Sequence, residues 1–573
     1  MSGLSLRLGG IVRRAPRRSA GRVASLPRLL DVWHGAAALL YGSPLYRAIL
    51  SRAAAPEVTP AAGDPWAGDA ARGAAILGGT FASHGQAFEG RAGLWSPPGA
   101  HAAWRTEQHG FAWLRDLAAV GGDEARLRAR DLTVDWLARA SRWDALTWRA
   151  DVLGSRIAAW LGHYAYLTEG TPDRFRTTLD RALVVQARHL QRTISGSLDG
   201  APRFAALKGL IHANWSLRFA PRTLERRRAQ TLKLLGAALT RQINPDGGHI
   251  ERSPSLHLAV LRDLIEIRAV LRGARTGPPV ELESAIDRMA PFLRYVRHAD
   301  GGLALFNDSN EEVAGDIDAV LNLAEAKGKP PTTAPHTGFQ RVTAERTLML
   351  VDAAAPAALD GHAHAGTLSF ELSVGKERLV VNCGAHVADQ TDWRRVQRAT
   401  AAHSTLTIDD TNSSEILGPA GPLPGTLGQR PSQVACQRDE ADGSVWLELS
   451  HDGYVRQFGV VHRRRLVLSA AGDDLRGEDT LVGDGHGRYA IRFHLHPRVQ
   501  ASLVQDGSAV LLRLPSGLGW RLRASAGTFV LGDSIYLGRR GEMKRAQQII
   551  LWGLIEGRDP VIKWALRREG VNK

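Results

Sequence analysis

Two histidines separated by one residue are the first candidates for chemistry in this sequence. His362 and His364 flank Ala363 and come just before the alternating apolar segment Thr367–Ser373, which predicts a half-buried β-strand. Side chains at i and i+2 of a strand point to the same face, so both imidazoles could meet one substrate or one metal ion. A histidine pair in a surface loop is the plainer interpretation, and the pair alone does not decide between them.

A second group of ionisable side chains lies further along the chain. Residues 393–406 hold several guanidinium groups and one imidazole ahead of an apolar strand start: Arg394, Arg395, Arg398 and His403. Guanidinium groups bind carboxylates and sulfates through two parallel hydrogen bonds, so this segment could bind an anion. A solvated basic loop is the alternative interpretation.

Two further candidates are predicted to lie on helices. Ser253 is a good N-cap and Pro254 fits the first helical position, so His257 falls in the first turn, where free N–H groups favour an anion. In another helical segment Asn214 precedes Trp215, and an amide beside an indole can hold a sugar. A helix cap with an incidental histidine and a core tryptophan are the plainer interpretations.

The periodicity of apolar residues divides the elements that must position these side chains into two halves. Residues 36–326 show apolar side chains at three- and four-residue spacing, as in Leu232, Leu235 and Leu239, with compact turns between helices. This pattern predicts a helical domain of stacked α-hairpins or an α/α toroid. Residues 327–335 are predicted to be a linker. Many short alternating segments follow over 336–573 and predict an antiparallel β-sandwich.

The composition restricts the class of protein. A chain of 573 residues exceeds what one core fills, so two or more domains are expected. The net charge of +15 comes mostly from arginine, which indicates an anionic partner or a genome that favours arginine codons. No segment approaches the roughly 18 apolar residues of a membrane span. Residues 1–35 predict a basic, disordered arm without the apolar region of a signal peptide.

Several short motifs occur in a fixed order across both halves. They are Gly68–Gly73, Gly110–Asp116, Asp246–His249 with Ser253–Ser255, His362–His364 with Ser369–Phe370, Arg398–Thr405, His451–Tyr454 and Phe493–Pro497. In this order they resemble the heparinase II/III-like family of polysaccharide lyases, from about residue 64 to near the C-terminus. The resemblance implies an α/α toroid joined to an antiparallel β-sandwich.

The resemblance also implies a reaction, the β-elimination of an acidic polysaccharide that contains uronic acid. This reaction needs a group that stabilises the developing charge, a base and an acid, but no redox cofactor. His362 is the implied base or charge stabiliser, and Asn214 is the amide that neutralises the uronate carboxylate. Further residues are expected to contact the substrate: Trp215, Arg252, Arg394 and Arg398. His364 and His403 match positions that hold a structural zinc in some relatives.

The sequence departs from the family pattern at positions that matter for this chemistry. Leu256 stands where a catalytic tyrosine is usual, so His257, Tyr454 or Tyr295 would have to replace it. Ala365 and Asn382 stand where carboxylates are expected, which weakens a zinc site. Ser404 stands where an asparagine is frequent.

Two hypotheses therefore remain open. The first is a lyase acting on an acidic polysaccharide, expected at the bacterial cell envelope or in the periplasm. The second is a catalytically reduced glycan-binding protein with the same fold. A hydrolase is less favoured because the sequence offers no convincing carboxylate pair. Specific nucleic-acid binding is not expected, because the sequence contains no nucleic-acid-binding motif.

Overall fold

The computed structural model describes residues 40–51, 57–89, 94–196, 199–359, 361–386, 391–418 and 426–570. The predicted basic arm, residues 1–35, lies outside these described residues. Helices fill the first part of the chain and antiparallel strands the second. None of the helices described here is long and apolar enough to cross a membrane.

Among the described residues, thirteen helices form the N-terminal domain, together with a small β-hairpin of strands β1 (Thr80–Ser83) and β2 (Gln86–Glu89). The helices are α1 (Pro44–Ser51), α2 (Ala70–Leu77), α3 (Ala102–Gly110), α4 (Leu114–Val120), α5 (Gly122–Arg139), α6 (Ala150–Gly162), α7 (Tyr164–Thr168), α8 (Asp173–Thr193), α9 (Ala201–Ser216), α10 (Pro221–Gln242), α11 (Pro254–Gly273), α12 (Val280–Tyr295) and α13 (Ala314–Ala324).

Local sequence explains how the helices begin and how closely they pack. Ser253 caps α11 as predicted, because its side chain accepts a hydrogen bond from the backbone N–H of Leu256. Along α10, Leu235 and Leu239 are buried, so the predicted apolar face does face the core. Helices α6 and α9 touch backbone to backbone: a Cβ atom on Gly209 would lie 2.2 Å from the carbonyl oxygen of Gly154. Only glycine allows this approach.

In the part of the C-terminal domain that the structure describes there are two antiparallel sheets and two short helices, α14 (Thr391–Arg398) and α15 (Val455–Phe458). The strands are β3 (Phe339–Ala344), β4 (Thr347–Asp352), β5 (Phe370–Val374), β6 (Glu377–Val381), β7 (Leu406–Ile408), β8 (Val434–Ala441), β9 (Ser444–His451), β10 (Val461–Leu468), β11 (Asp474–Val482), β12 (Arg488–Leu495), β13 (Gln500–Val504), β14 (Ala509–Arg513), β15 (Gly519–Ala524), β16 (Thr528–Tyr536), β17 (Lys544–Leu554) and β18 (Val561–Arg568).

The sandwich has an inner sheet, which packs against the helical domain, and an outer sheet, which has one face in water. The inner sheet has the strand order β16-β17-β12-β6-β5-β4-β3, with β7 paired to β12, and the outer sheet has the order β13-β14-β15-β18-β11-β10-β9-β8. Every residue of β4 is buried, because Leu348 and Leu350 join the helical core while Met349 and Val351 join the sandwich core. In β9 buried and partly exposed residues alternate, as expected for a sheet with one face in water.

Buried polar contacts connect the two domains. The guanidinium group of Arg252 donates to the carbonyl oxygens of Thr337 (2.7 Å) and Ala355 (2.8 Å) and forms a buried ion pair with Asp352 on β4. The hydroxyl of Tyr295 donates to the carbonyl oxygen of Phe339 at 2.9 Å. The predicted linker 327–335 lies between α13 and β3, directly beside this interface.

The histidine pair and the arginine-rich segment take the following local structures. His362 and His364 lie in the loop before β5 and not on the strand itself. The arginine-rich segment is not a solvated loop, because residues 391–398 form helix α14, followed by a short 3-10 turn at Thr400–Ala402. Both segments contact Asp308 of the helical domain, as described below.

Candidate functional site

A cleft of about 540 Å³ lies between the helical domain and the sandwich. Its walls come from the β1–β2 turn, α3, the start of α11, the loop after α12, the loop before β5 and α14. The residues that line it are His84, Ala102, Ala103, Thr106, Glu107, Arg149, Ser255, Leu256, Asp308, Asn310, His362, Ala385, His386, Arg394, Gln397 and Arg540. Half of the polar residues among them are arginines or histidines, whereas two are carboxylates.

Asp308 is the centre of the polar network on the sandwich side of this cleft. One carboxylate oxygen lies 2.7 Å from Nε2 of His364 and 3.2 Å from Nε2 of Gln397. The other oxygen lies 3.0 Å from Nδ1 of His362 and 2.8 Å from Nη2 of Arg398. Burial alone would raise the pKa of Asp308, but the charge of Arg398 and the two histidine contacts outweigh it and hold this pKa well below its usual range. Asp308 is therefore ionised.

The loop that carries Asp308 has an unusual backbone conformation. Asn307 and Asp308 have φ angles of 51° and 56°, in the left-handed region that asparagine and aspartate tolerate better than most residues. The side chain of Asn307 fixes the turn, because it donates to the carbonyl oxygen of Arg252 (3.0 Å) and accepts the backbone N–H of His364 (3.1 Å). The loop thus joins both domains at the cleft.

His362 is the imidazole that this network presents to the cleft. Its side chain is 36% exposed, whereas that of His364 is 2% exposed. Because Asp308 accepts the proton on Nδ1 of His362, the neutral ring carries its free lone pair on Nε2. An imidazole held in this way can accept a proton from a bound molecule or donate a hydrogen bond to an anion.

A second histidine–carboxylate pair lies on the helical wall of the cleft. The carboxylate of Glu107 accepts hydrogen bonds from Ser83 Oγ (2.5 Å) and Arg72 Nη2 (2.7 Å) and lies 3.1 Å from Nε2 of His84. Burial would raise the pKa of Glu107, but the contacts with His84, Arg72 and Ser83 lower it far more. The negative charges of Glu107 and Asp308 are thus both compensated by protein groups.

Three guanidinium groups line the cleft from three different parts of the chain. Arg149 forms a two-pronged ion pair with Asp151, at 2.6 and 2.7 Å. Arg394 on α14 donates to the carbonyl oxygen of Gly361 at 2.7 Å. Arg540, in the loop between β16 and β17, is 46% exposed and lies 3.6 Å from the carboxylate of Glu312. Cations on opposite walls can grip an anionic chain from both sides.

Several predicted site residues lie outside the cleft, in the interior of the helical domain. Asn214 is buried on α9, and its amide nitrogen donates to Thr231 Oγ1 (3.0 Å) and Gln191 Oε1 (3.1 Å). The indole N–H of Trp215 donates to Thr276 Oγ1 at 3.0 Å. Neither side chain lines the cleft, so the plainer interpretation of this pair as core residues fits its surroundings.

The groups proposed to replace the missing tyrosine are also buried. His257 contacts the carbonyl oxygen of Met289 through Nε2 at 2.9 Å, and burial lowers its pKa to about 4. The hydroxyl of Tyr454 donates to the carbonyl oxygen of Leu406 at 2.8 Å, and burial raises its pKa. Tyr295 lies at the domain interface, as described above. Leu256, the residue before His257, does line the cleft and has an aliphatic side chain.

Two arginines predicted to contact substrate are structural. Arg398 is fully buried on α14 and forms an ion pair with Asp308 at 2.8 Å. Arg252 is buried in the domain interface beside Asp352. Neither guanidinium group lines the cleft, whereas the third arginine predicted to contact substrate, Arg394, does.

The predicted zinc ligands do not form a suitable donor set. Nδ1 of His364 lies 3.1 Å from Nε2 of His403, so the two imidazoles contact each other directly. The side-chain oxygen of Asn382 accepts the backbone N–H of Ser404 at 3.0 Å. Within the described ranges, no group of three or more histidine, cysteine, aspartate or glutamate side chains could hold a metal ion. These residues fit a hydrogen-bonded network better than a zinc site.

Sequence reasoning missed several cleft residues, among them His84, Glu107, Asp308 and Arg540. Asp308 left a usable signal, because Asn307, Asp308, Ser309 and Asn310 form a polar run directly after the apolar segment Leu303–Phe306. The others occur singly in ordinary contexts. Only the arrangement of the two domains brings them together.

Comparison with known proteins agrees with this architecture. Residues 326–565 match a family model described as heparinase II/III-like, C-terminal. Over 511 residues the chain is 32% identical to FtsZ-localized protein C of Caulobacter vibrioides (strain NA1000 / CB15N), an alignment that covers 85% of this chain and 86% of that protein. The chain belongs to the heparinase II/III-like family.

Two solved structures share their fold with this heparinase II/III-like chain. A crystal structure of heparinase III superposes with a TM-score of 0.72 at 14% identity, covering 95% of this chain and 92% of that one. A mutant of the heparan sulfate lyase HepC from Pedobacter heparinus superposes with a TM-score of 0.61 at 16% identity, covering 96% and 92%. At these identities the likeness concerns the fold, and the predicted α/α toroid with a β-sandwich is confirmed.

Proposed function

We propose that this heparinase II/III-like protein binds an acidic polysaccharide in the cleft between its domains and does not cleave it by the tyrosine-dependent β-elimination of lyases with this fold. The observation that carries the proposal is the composition of the cleft wall. It combines the guanidinium groups of Arg149, Arg394 and Arg540 with Leu256 at the family's tyrosine position.

The charge distribution supports binding of an anion. The carboxylates of Asp308 and Glu107 face the cleft, but each is held by several donors of the protein itself. Arg540 is about half exposed and has one distant carboxylate at 3.6 Å. The cleft therefore keeps a positive surplus, and Arg forks match the carboxylates and sulfates of acidic sugars.

The same wall lacks the tyrosine of family-type proton transfer. Leu256 has no ionisable proton, and the alternatives Tyr454, Tyr295 and His257 donate to or contact backbone carbonyl oxygens in the interior. The amide of Asn214 is engaged by Thr231 and Gln191 and cannot neutralise a uronate in the cleft. Binding without elimination accounts for all of these positions.

One experiment with two readings tests the proposal. The protein is incubated with a panel of uronate polysaccharides, including heparan sulfate, alginate, chondroitin and bacterial capsule extracts, while ultraviolet absorbance and retention on immobilised glycan are measured. We expect retention without the absorbance rise of a conjugated double bond. Arg540→Gln should weaken retention, whereas Arg139→Gln, an exposed arginine on α5 far from the cleft wall, should not. A steady absorbance rise with wild-type protein would overturn the non-cleaving function.

A second candidate function is supported by the His362–Asp308 pair. Asp308 orients the imidazole so that Nε2 of His362 is available as a base, which is what a lyase acting on an acidic polysaccharide needs. If absorbance rises, His362→Ala should abolish the rise while the protein stays folded. Activity that survives this substitution would remove His362 from the reaction.

The relative's name suggests where the protein acts. FtsZ-localized protein C shares 32% of its residues with this chain over most of both lengths. We propose that this chain also localises with FtsZ, and that the cleft binds its glycan there. A fluorescent fusion at the native locus should form bands that coincide with labelled FtsZ. A uniform signal, or recovery in the periplasmic fraction as the family resemblance implies, would contradict this location.

A further inference from the structure

The solvent-facing side of the outer sheet carries a depression with a strongly basic rim, far from the cleft described above. It has a volume of about 460 Å³ and lies on strands β15, β18, β11 and β10. Its side-chain cations come from all four strands: Arg465, Arg476, Arg523, Lys563 and Arg567. None of these residues lines the cleft between the domains.

The floor of the depression is formed by small and apolar groups. Ala565 on β18 lies directly opposite Arg476 on one neighbouring strand and Arg523 on the other, so long side chains surround a short one. Val467 lies on β10, on the other side of Arg476, so the side chain of Arg476 stands between it and Ala565. The depression exists because alanine occupies the middle strand at this level.

The carboxylates near the rim do not balance its positive charge. Asp474 is shared by Arg476 (2.9 Å) and Arg567 (3.0 Å). Glu478 is similarly shared, because it lies 3.6 Å from Lys563 and 3.8 Å from Arg465, and Arg465 also lies 3.5 Å from Glu448.

Arg523 adds to this surplus, because its Nη2 donates to the uncharged Gln505 at 3.0 Å. Lys563 is 67% exposed, and Arg476 and Arg567 are each 53% exposed. Their charges therefore face water and are available to an anionic partner.

The chemistry of the floor distinguishes between classes of anionic partner. Sugar rings usually pack on exposed aromatic faces, but the aromatic residue at this depression, Trp564, is buried beneath the sheet. Its indole N–H donates to Asp479 at 2.9 Å, and its ring stacks on Phe370 at 5.9 Å between centroids. An apolar floor with a cationic rim instead suits an aliphatic side chain flanked by carboxylates.

We infer that this depression, on the outer face of the sandwich, binds a short acidic peptide segment of a partner protein. An aliphatic side chain of the peptide packs over Ala565. Carboxylates on either side of it pair with Arg523 and Lys563 on one flank and with Arg476 on the other. The site is separate from the glycan cleft, so both can be occupied together.

The test uses the full-length protein and a short fluorescent peptide in which glutamate alternates with leucine. Fluorescence anisotropy should detect saturable binding that weakens with salt, and a peptide of alternating glutamine and leucine should not bind. Because exposed charges contribute modestly, Arg523→Gln with Lys563→Gln should weaken binding about tenfold. The matched pair Arg139→Gln with Arg241→Gln, exposed arginines of the helical domain, should leave it unchanged.

Ala565→Met tests the apolar contact separately. Methionine fills the floor without changing charge, so it should weaken the glutamate–leucine peptide about tenfold but leave the weaker binding of polyglutamate unchanged. Three results would overturn the inference: equal binding of the uncharged peptide, no effect of the Arg523/Lys563 pair, or tighter binding of a uronate oligosaccharide than of the peptide at this face. A failure of glycan binding in the cleft would not affect any of these readings.

Discussion

Asp308 lies 3.0 Å from Nδ1 of His362, and the two residues belong to different domains. The acid is on a loop of the helical domain, and the imidazole is on a loop of the sandwich. The same carboxylate pairs with Arg398, which has no exposed side-chain surface. The polar wall of the cleft therefore exists only when the two domains are docked, and its chemistry depends on that docking.

Asp308→Asn should destabilise the protein more than any substitution of an exposed cleft residue. It removes the carboxylate with which the buried guanidinium of Arg398 pairs at 2.8 Å, a loss that typically costs about 3–5 kcal/mol. Denaturant unfolding followed by circular dichroism measures the change. His362→Gln removes one partly exposed contact with Asp308 and is the control, expected to cost below about 1 kcal/mol. Equal effects of the two substitutions would contradict the central role of Asp308.

Arg394→Gln and Arg540→Gln should weaken retention of acidic glycan, and most strongly at low salt. Both guanidinium groups line the cleft, and the attraction of partly exposed charges is screened within about 10 Å at 0.1 M salt. Glycan affinity measured across a salt series checks this expectation. Arg398→Gln should instead lower the melting temperature, because Arg398 is buried. A salt-independent loss for Arg540→Gln would indicate a packing role.

Acidification should destabilise the protein well before its carboxylates are protonated. Burial lowers the pKa of both His257 and His494 from 6.5 to about 4. The folded state thus resists protonation that the unfolded chain accepts, and stability that is complete above pH 6.5 is lost as the pH falls towards 4. Each pKa shift corresponds to about 3 kcal/mol of unfolding free energy over that pH range.

Unfolding free energies measured between neutral and mildly acidic pH should therefore fall steadily, and the slope should be smaller in His257→Gln. The contribution of Asp308 to stability changes at a lower pH than that of the histidines. Its lowered pKa gives stability that is present above the ordinary aspartate pKa and disappears only below it. A flat profile down to pH about 5 would show that the buried histidines are protonated at little cost.

Purified protein should contain far less than one equivalent of zinc. His364 and His403 use the facing nitrogens for each other, and Asn382 contributes an amide that already accepts a backbone N–H. Elemental analysis, with and without added zinc, measures the content, and a chelator should leave the melting temperature unchanged. One tightly held equivalent, or a chelator-sensitive melting temperature, would show that these residues rearrange around a metal.

Local patterns in the sequence were sufficient to predict the helices and strands, because each of these elements depends on residues that are close in sequence. Ser253 and Pro254 mark the start of α11, and the alternation in β9 and β10 predicts a half-exposed sheet. The candidate site could be predicted only in part. His362 and Arg394 line the cleft, whereas Asn214 on α9 and Tyr454 in the turn before α15 are buried.

The reason for the incomplete prediction is physical. Whether an ionisable side chain faces a cleft or an interior depends on which element packs against it, and local periodicity does not contain this information. Glu107 and His362 are 255 positions apart in the chain, and only the docked domains place them in one cavity. Asp308 was identifiable in principle, since a run of polar residues after an apolar segment often ends at a site.

Strand β4 has a consequence for how the whole molecule can be divided. Its alternate side chains belong to two different hydrophobic cores, and its last residue, Asp352, neutralises an arginine of the other domain. A sandwich expressed without its toroid would expose the apolar side chains of Leu348 and Leu350 to water. It would also leave Asp352 without Arg252, its partner in the buried ion pair. The two domains are therefore not expected to fold independently, and on heating they should unfold together in a single calorimetric peak.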